Sequence, residues 1–100
     1  MKELKWFVIE ADVDGSWMDY TYCYTMGDAV QKALRVWRYG YSPKDRKHRR
    51  IEVALLWAVY DEGEENWFPM LEDDEGFDRE SMEGHWIGAY NPVLTIGPDD

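Results

Sequence analysis

Two runs of charge hold most of the side chains that could do chemistry. Between Asp61 and Glu83 lie Asp61, Glu62, Glu64, Glu65, Glu72, Asp73, Asp74, Glu75, Asp78, Glu80 and Glu83, against the single cation Arg79. Between Lys32 and Arg50 eight cations face the single acid Asp45. Carboxylates in such number can catalyse proton transfer, hold a cation, or imitate an array of phosphates. Acid–base catalysis needs two carboxyl groups in different environments within one pocket, and these lie in solvated runs. Calcium binding has one superficial echo, Glu10-x-Asp12-x-Asp14-Gly15. The position that should carry a bidentate glutamate in such a loop is Thr21, so a turn is the better reading. Imitation of phosphates asks only that carboxylates be spaced along a surface beside apolar anchors, and Trp67, Phe68 and Phe77 can serve as those anchors.

The remaining reactive groups are few. Cys23, His48 and His85 have no paired spacing of the kind zinc requires. Cys23 stands among alternating aromatics, where a free cysteine is usually a small apolar group. Ser16, Ser42 and Ser81 lie in turns without a supporting histidine motif, and no glycine-rich phosphate loop is present. The expectation is a protein that is not an enzyme and needs no metal or cofactor. The basic run Lys44-Asp45-Arg46-Lys47-His48-Arg49-Arg50 offers the converse chemistry, contact with phosphates.

Composition weighs on these choices. The chain has 100 residues and a formal net charge of −10 at pH 7. It therefore repels nucleic acid at long range and attracts basic partners. Direct nucleic-acid binding would have to be local to residues 44–50. A single cysteine excludes an internal disulfide, and MKELKWF lacks the apolar run of a signal peptide, so a cytoplasmic location is expected. The longest uncharged apolar run, Val53 to Tyr60, is far short of the ~20 residues that cross a bilayer. Residues 1–100 read as one domain.

These groups must be positioned by a small set of elements. Ile51 to Tyr60, IEVALLWAVY, carries only one charge, Glu52, and alternates with period two, Ile51, Val53, Leu55, Trp57 and Val59 against Ala54, Leu56, Ala58 and Tyr60. That pattern predicts a central strand of about eight to ten residues, apolar on both faces. Leu4 to Val13 predicts a first strand with Phe7, Ile9, Ala11 and Val13 on one side and Trp6 and Val8 on the other. Asp14-Gly15 predicts a hairpin turn into a second strand, Trp17 to Tyr24, with a tyrosine stripe.

Thr25-Met26-Gly27-Asp28 is a helix start. Val30, Ala33, Leu34 and Trp37 recur at helical spacing, and Gly40 stands where a left-handed cap would end a helix over residues 26–39. Glu62-Gly63 turns into a short edge strand, Trp67 to Leu71, containing Pro69. Glu72 to Gly84 is too polar for a core. A further strand is expected at His85 to Tyr90, before an apolar segment of Val93, Leu94 and Ile96.

The order β-β-α-β-β-β gives an α+β fold, an antiparallel sheet of about four to five strands with one main helix on one face. Its other face would carry Trp6, Val8, Met18, Tyr20, Tyr22, Tyr24, Leu56 and Tyr60, more aromatic surface than a solvated sheet needs. Three covers are expected alternatives: residues 86–96, a second copy in a homodimer, or another protein.

Two resemblances bear on function. WFVIEADVDGSW followed by YTMGDAVQKALRVW resembles the strand, Asp-Gly turn, strand and helix of HicB-type antitoxin domains over about the first forty residues, although that family's Leu-Pro-Gly-Cys connection is missing. In length, acidity and aromatic content the whole chain is similar to small phage-encoded inhibitors of host defence, the anti-CRISPR and DNA-mimic proteins. The second resemblance implies a basic protein or nucleoprotein partner whose nucleic-acid site is occupied by the acidic residues named above, with Trp67 and Phe68. The first implies a regulatory domain that binds a toxin. The third reading is a nucleic-acid binder using residues 44–50.

Overall fold

The computed structural model describes residues 2–14, 18–69 and 91–98. Its centre is the strand β3, Arg49–Asp61, longer at both ends than the apolar run alone predicts. Nine of its residues are apolar and they fall on both faces, so β3 can pack front and back, as a central strand requires. β1, Lys2–Asp12, pairs antiparallel with it from Lys2↔Val59 to Asp12↔Arg49. β2, Met18–Cys23, lies on the outer side of β1, and β4, Asn66–Pro69, lies on the far side of β3. β5, Leu94–Ile96, pairs with Ile51–Val53 on the edge of β3 that β4 uses further along. The strand order is β2-β1-β3-β4, all antiparallel, so the expected α+β architecture with one main helix is what the chain adopts. The expected strand at residues 85–90 lies outside the described residues, as does the turn at Gly15.

The helix α1, Met26–Arg35, begins where its cap predicts: Thr25 is extended and its Oγ1 accepts from the Asp28 amide at 3.1 Å. Its far end differs from expectation. Rather than ending on a left-handed glycine, the chain widens into a π-helical turn, Val36–Gly40, and leaves through Tyr41 in an extended conformation. Tyr41 then fixes the exit, its ring edge-on to Trp37 and its hydroxyl donating to Glu10 Oε1 at 2.7 Å. The apolar stripe is also rotated. Ala29 and Ala33 are fully buried against the sheet, whereas Leu34, expected inside, is 52 % exposed. Two alanines four apart let the helix axis approach the sheet closely, and the larger Val30, Val36 and Trp37 pack around them.

The core has two layers. On the helix side Val8, Ile51 and Val53 meet Ala29 and Ala33, with Trp6, Cys23, Leu94 and Ile96 around them. On the other side Phe7, Ile9, Ala11, Ala54, Leu56 and Ala58 form a second cluster, lined by Tyr20, Tyr22 and Trp67. This corrects the expected distribution: Trp6 and Val8 face the helix, not the tyrosines. Among the described residues, this second cluster is covered in part by the chain's own aromatics. Tyr20 of β2 reaches Phe68 of β4 edge-on at 5.8 Å, so the outer strands of the curled sheet meet over Phe7 and Leu56. Leu94 and Ile96, from the segment expected as one possible cover, belong instead to the helix side; residues 86–90 of that segment lie outside the described residues. No helix among the described residues is long and apolar enough to cross a membrane.

Candidate protein-interaction site

The acidic turn is built from the end of β3. Asp61 pairs with Asn66, and four residues reverse the chain between them. A single atom organises the turn: Asp61 Oδ1 accepts from the Gly63 amide at 2.8 Å and from the Glu64 amide at 3.3 Å. This is the aspartate turn that replaces a backbone acceptor with a carboxylate. Glu65 closes it with φ 52°, the left-handed region that side chains other than glycine seldom adopt. At Gly63 an added Cβ would lie 3.2 Å from the same Asp61 oxygen, so glycine keeps that acceptor in place. Asp61, Glu62, Glu64 and Glu65 are all exposed. Asp61 thus shapes the turn, and Glu62, Glu64 and Glu65 carry its outward charge.

The two apolar anchors predicted beside it part company. Trp67 is half-buried, tilted against Tyr60 at 5.3 Å. The Lys5 ammonium sits 4.7 Å from its ring and 4.9 Å from that of Tyr24. Lys5 also pairs with Glu3 at 2.8 Å, which with the nearby tyrosines raises its pKa. Phe68 is a correction: it is 8 % exposed and packs on Tyr20, so it belongs to the core and presents no surface. The expected site residues Glu72, Asp73, Asp74, Glu75, Asp78, Glu80 and Glu83 lie outside the described residues.

The basic pole forms at the other end of β3. Asp45–Lys47 is a single 3₁₀ turn, held by a reciprocal pair in which the Asp45 amide donates to Ser42 Oγ at 3.2 Å and the Ser42 amide to Asp45 Oδ2 at 3.4 Å. The bond from the Ser42 amide, followed by the Ser42 side chain, stabilises the Asp45 carboxylate and lowers its pKa. His48 ties the loop to β1: its Nδ1 lies 3.1 Å from Asp12 Oδ2, its Nε2 3.9 Å from Asp45, and its carbonyl accepts from the Val13 amide at 2.8 Å. Glu10 and Asp12, which echoed a calcium loop, are engaged by Tyr41 and His48, and the described residues contain no cluster of three metal-binding side chains. Sequence reasoning missed both contacts because they join residues 31 and 36 apart.

Two groups suited to acid or thiol chemistry are buried for packing. Glu52 is 2 % exposed among the apolar residues of the second cluster. Burial raises its pKa, opposed by Arg50, whose Nε lies 3.0 Å from Glu52 Oε1. The contact is an ion pair between a buried carboxylate and a partly exposed guanidinium. Cys23 is partly buried on the helix side, and desolvation raises its thiol pKa, keeping it protonated at neutral pH. No protein-family model matches this chain, and no curated protein or solved structure is similar to it at a significant level.

Proposed function

We propose that the chain is a non-enzymatic binding protein whose acidic end occupies a basic, nucleic-acid-binding surface on a partner, in the manner of phage-encoded inhibitors of host defence. The observation that supports this reading is the hydrogen-bonded acidic turn at the end of β3. It carries three exposed glutamates, Glu62, Glu64 and Glu65, on a backbone whose reversal Asp61 shapes through the Gly63 and Glu64 amides. An ordered backbone turn reduces the chain ordering that binding must supply, although the glutamate side chains still lose rotamer freedom when they meet a groove built for phosphates. The basic residues stand at the opposite end of β3, so they do not neutralise the array within the chain.

The test is capture from a nuclease-treated extract on immobilised protein, followed by elution with excess duplex DNA or RNA. A basic protein that is retained by the parent, released by the duplex, and lost with the Glu62→Gln, Glu64→Gln, Glu65→Gln variant supports the reading. Retention that is unchanged in that variant, or insensitive to the duplex, overturns it.

A further inference from the structure

The basic pole contains a groove. Trp37 from the π-helical turn, Pro43, Arg46 and Lys47 from the loop, and Gly97 and Pro98 beyond β5 enclose an open volume of ≈ 510 Å³. Arg46 is held in its wall by a hydrogen bond from Nη2 to the Tyr41 carbonyl at 3.3 Å, and its buried Nε has no hydrogen-bond partner among the described residues. Lys44 and Lys47 are exposed beside it. A groove that sets the apolar Trp37, Pro43 and Pro98 beside the cationic Arg46 and Lys47 is suited to an acidic segment whose side chains combine carboxylates with short aliphatic stems.

The structure also supplies such a segment. The turn 62–65 is acidic and exposed, and it is tethered to the far end of the same strand. Thirteen residues of β3 at about 3.3 Å each place the two up to about 40 Å apart. They are complementary but cannot meet within one chain. We infer that the groove takes the acidic β3–β4 turn of a second copy. Such a contact joins different surfaces on the two copies: made reciprocally about a two-fold axis it closes as a dimer, and made once it leaves a free groove and a free turn to which further copies add. The net charge of −10 opposes it. At ~0.01 M salt, with a screening length of about 30 Å, whole molecules repel one another, whereas at ~0.15 M the length is about 8 Å and the local contact prevails. Molar salt screens the contact itself. Association therefore peaks at intermediate ionic strength. A dimer held by apolar burial would persist in high salt.

The inference uses the same turn as the proposed function, but its test needs only purified protein, so either can fail alone. Sedimentation of the parent across a concentration series at about 0.01, 0.15 and 1 M salt is expected to show average mass at least doubling only at the middle condition. Two charge-reversed variants sharpen the test, Lys44→Glu with Lys47→Glu in the groove, and Glu62→Lys, Glu64→Lys with Glu65→Lys in the turn. Each alone should be monomeric, and their equimolar mixture should regain the parent's mass, with circular dichroism reporting that both are folded. A parent monomeric at all three salts, or a mixture of folded variants that stays monomeric, overturns the inference. So does an oligonucleotide that binds the monomeric parent and is lost with the groove variant, since it would assign the groove to nucleic acid.

Discussion

Glu52 is the residue whose environment departs most from what its type prefers. Its carboxylate is buried, and burial raises its pKa above the ordinary 4.5. The folded protein then holds a proton that the unfolded chain releases, so Glu52 detracts from stability as pH rises from its unfolded value through its folded one. Glu52→Gln is expected to raise the melting temperature at pH 7, with the gain disappearing below about pH 4. Thermal unfolding across that range checks it, and a loss at pH 7 would mean that the contact with Arg50 outweighs the cost of burial.

Tyr41 is the opposite case. Burial and its hydrogen bond to Glu10 hold the phenol well above its usual pKa, so the donor is present throughout the working range. Tyr41→Phe should cost about 1 to 2 kcal/mol, read by denaturant unfolding, because Glu10 loses its partner in a half-buried site. Neither environment is legible locally. Glu52 was visible only as the lone charge in an apolar run, and the run did not say that Arg50 would follow it inside.

At the scale of elements, the strands were readable because their pattern is strong. The alternation of Ile51 to Tyr60 specified β3, and the Thr25 cap specified where α1 starts. Which face each strand turned to the helix was not readable. Trp6, Phe7, Val8 and Ile9 are all apolar, so β1 satisfies period two with either face inward, and only packing decides. The helix stripe failed for a related reason: residue types favour Leu34 inside, whereas close approach to the sheet favours Ala29 and Ala33. Ala33→Leu therefore overfills the contact and is expected to destabilise the fold by about 1 to 3 kcal/mol, measurable as a lowered denaturant midpoint with unchanged slope. The acidic half of the candidate site was legible as charge. Its division into a shaping Asp61, outward Glu62, Glu64 and Glu65, and a buried Phe68 depends on the turn and the curl of the sheet.

For the molecule as a whole, the charge segregated to the two ends of β3 lies away from the packed core. The Glu62→Gln, Glu64→Gln, Glu65→Gln variant removes outward charge and no packing, so its stability should stay within about 0.5 kcal/mol of the parent's. Equilibrium unfolding of the purified variant checks this, and a larger loss would mean that these glutamates hold the turn.

The pairing of β1 with β3 sets the order of events during synthesis. Lys2 must find Val59 and Asp12 must find Arg49, so the sheet closes a loop of roughly forty to sixty residues before its central contact forms, which makes folding slow for so short a chain. Until Asp61 has left the ribosome, β1, β2 and α1 lack the central strand that both core clusters share, and a two-stranded hairpin with one short helix is marginal in water. Nascent chains arrested at residue 48 should be cut readily by protease, with Phe7, Val8 and Ile9 bare, and resistance should arrive in one step once β3 is exposed.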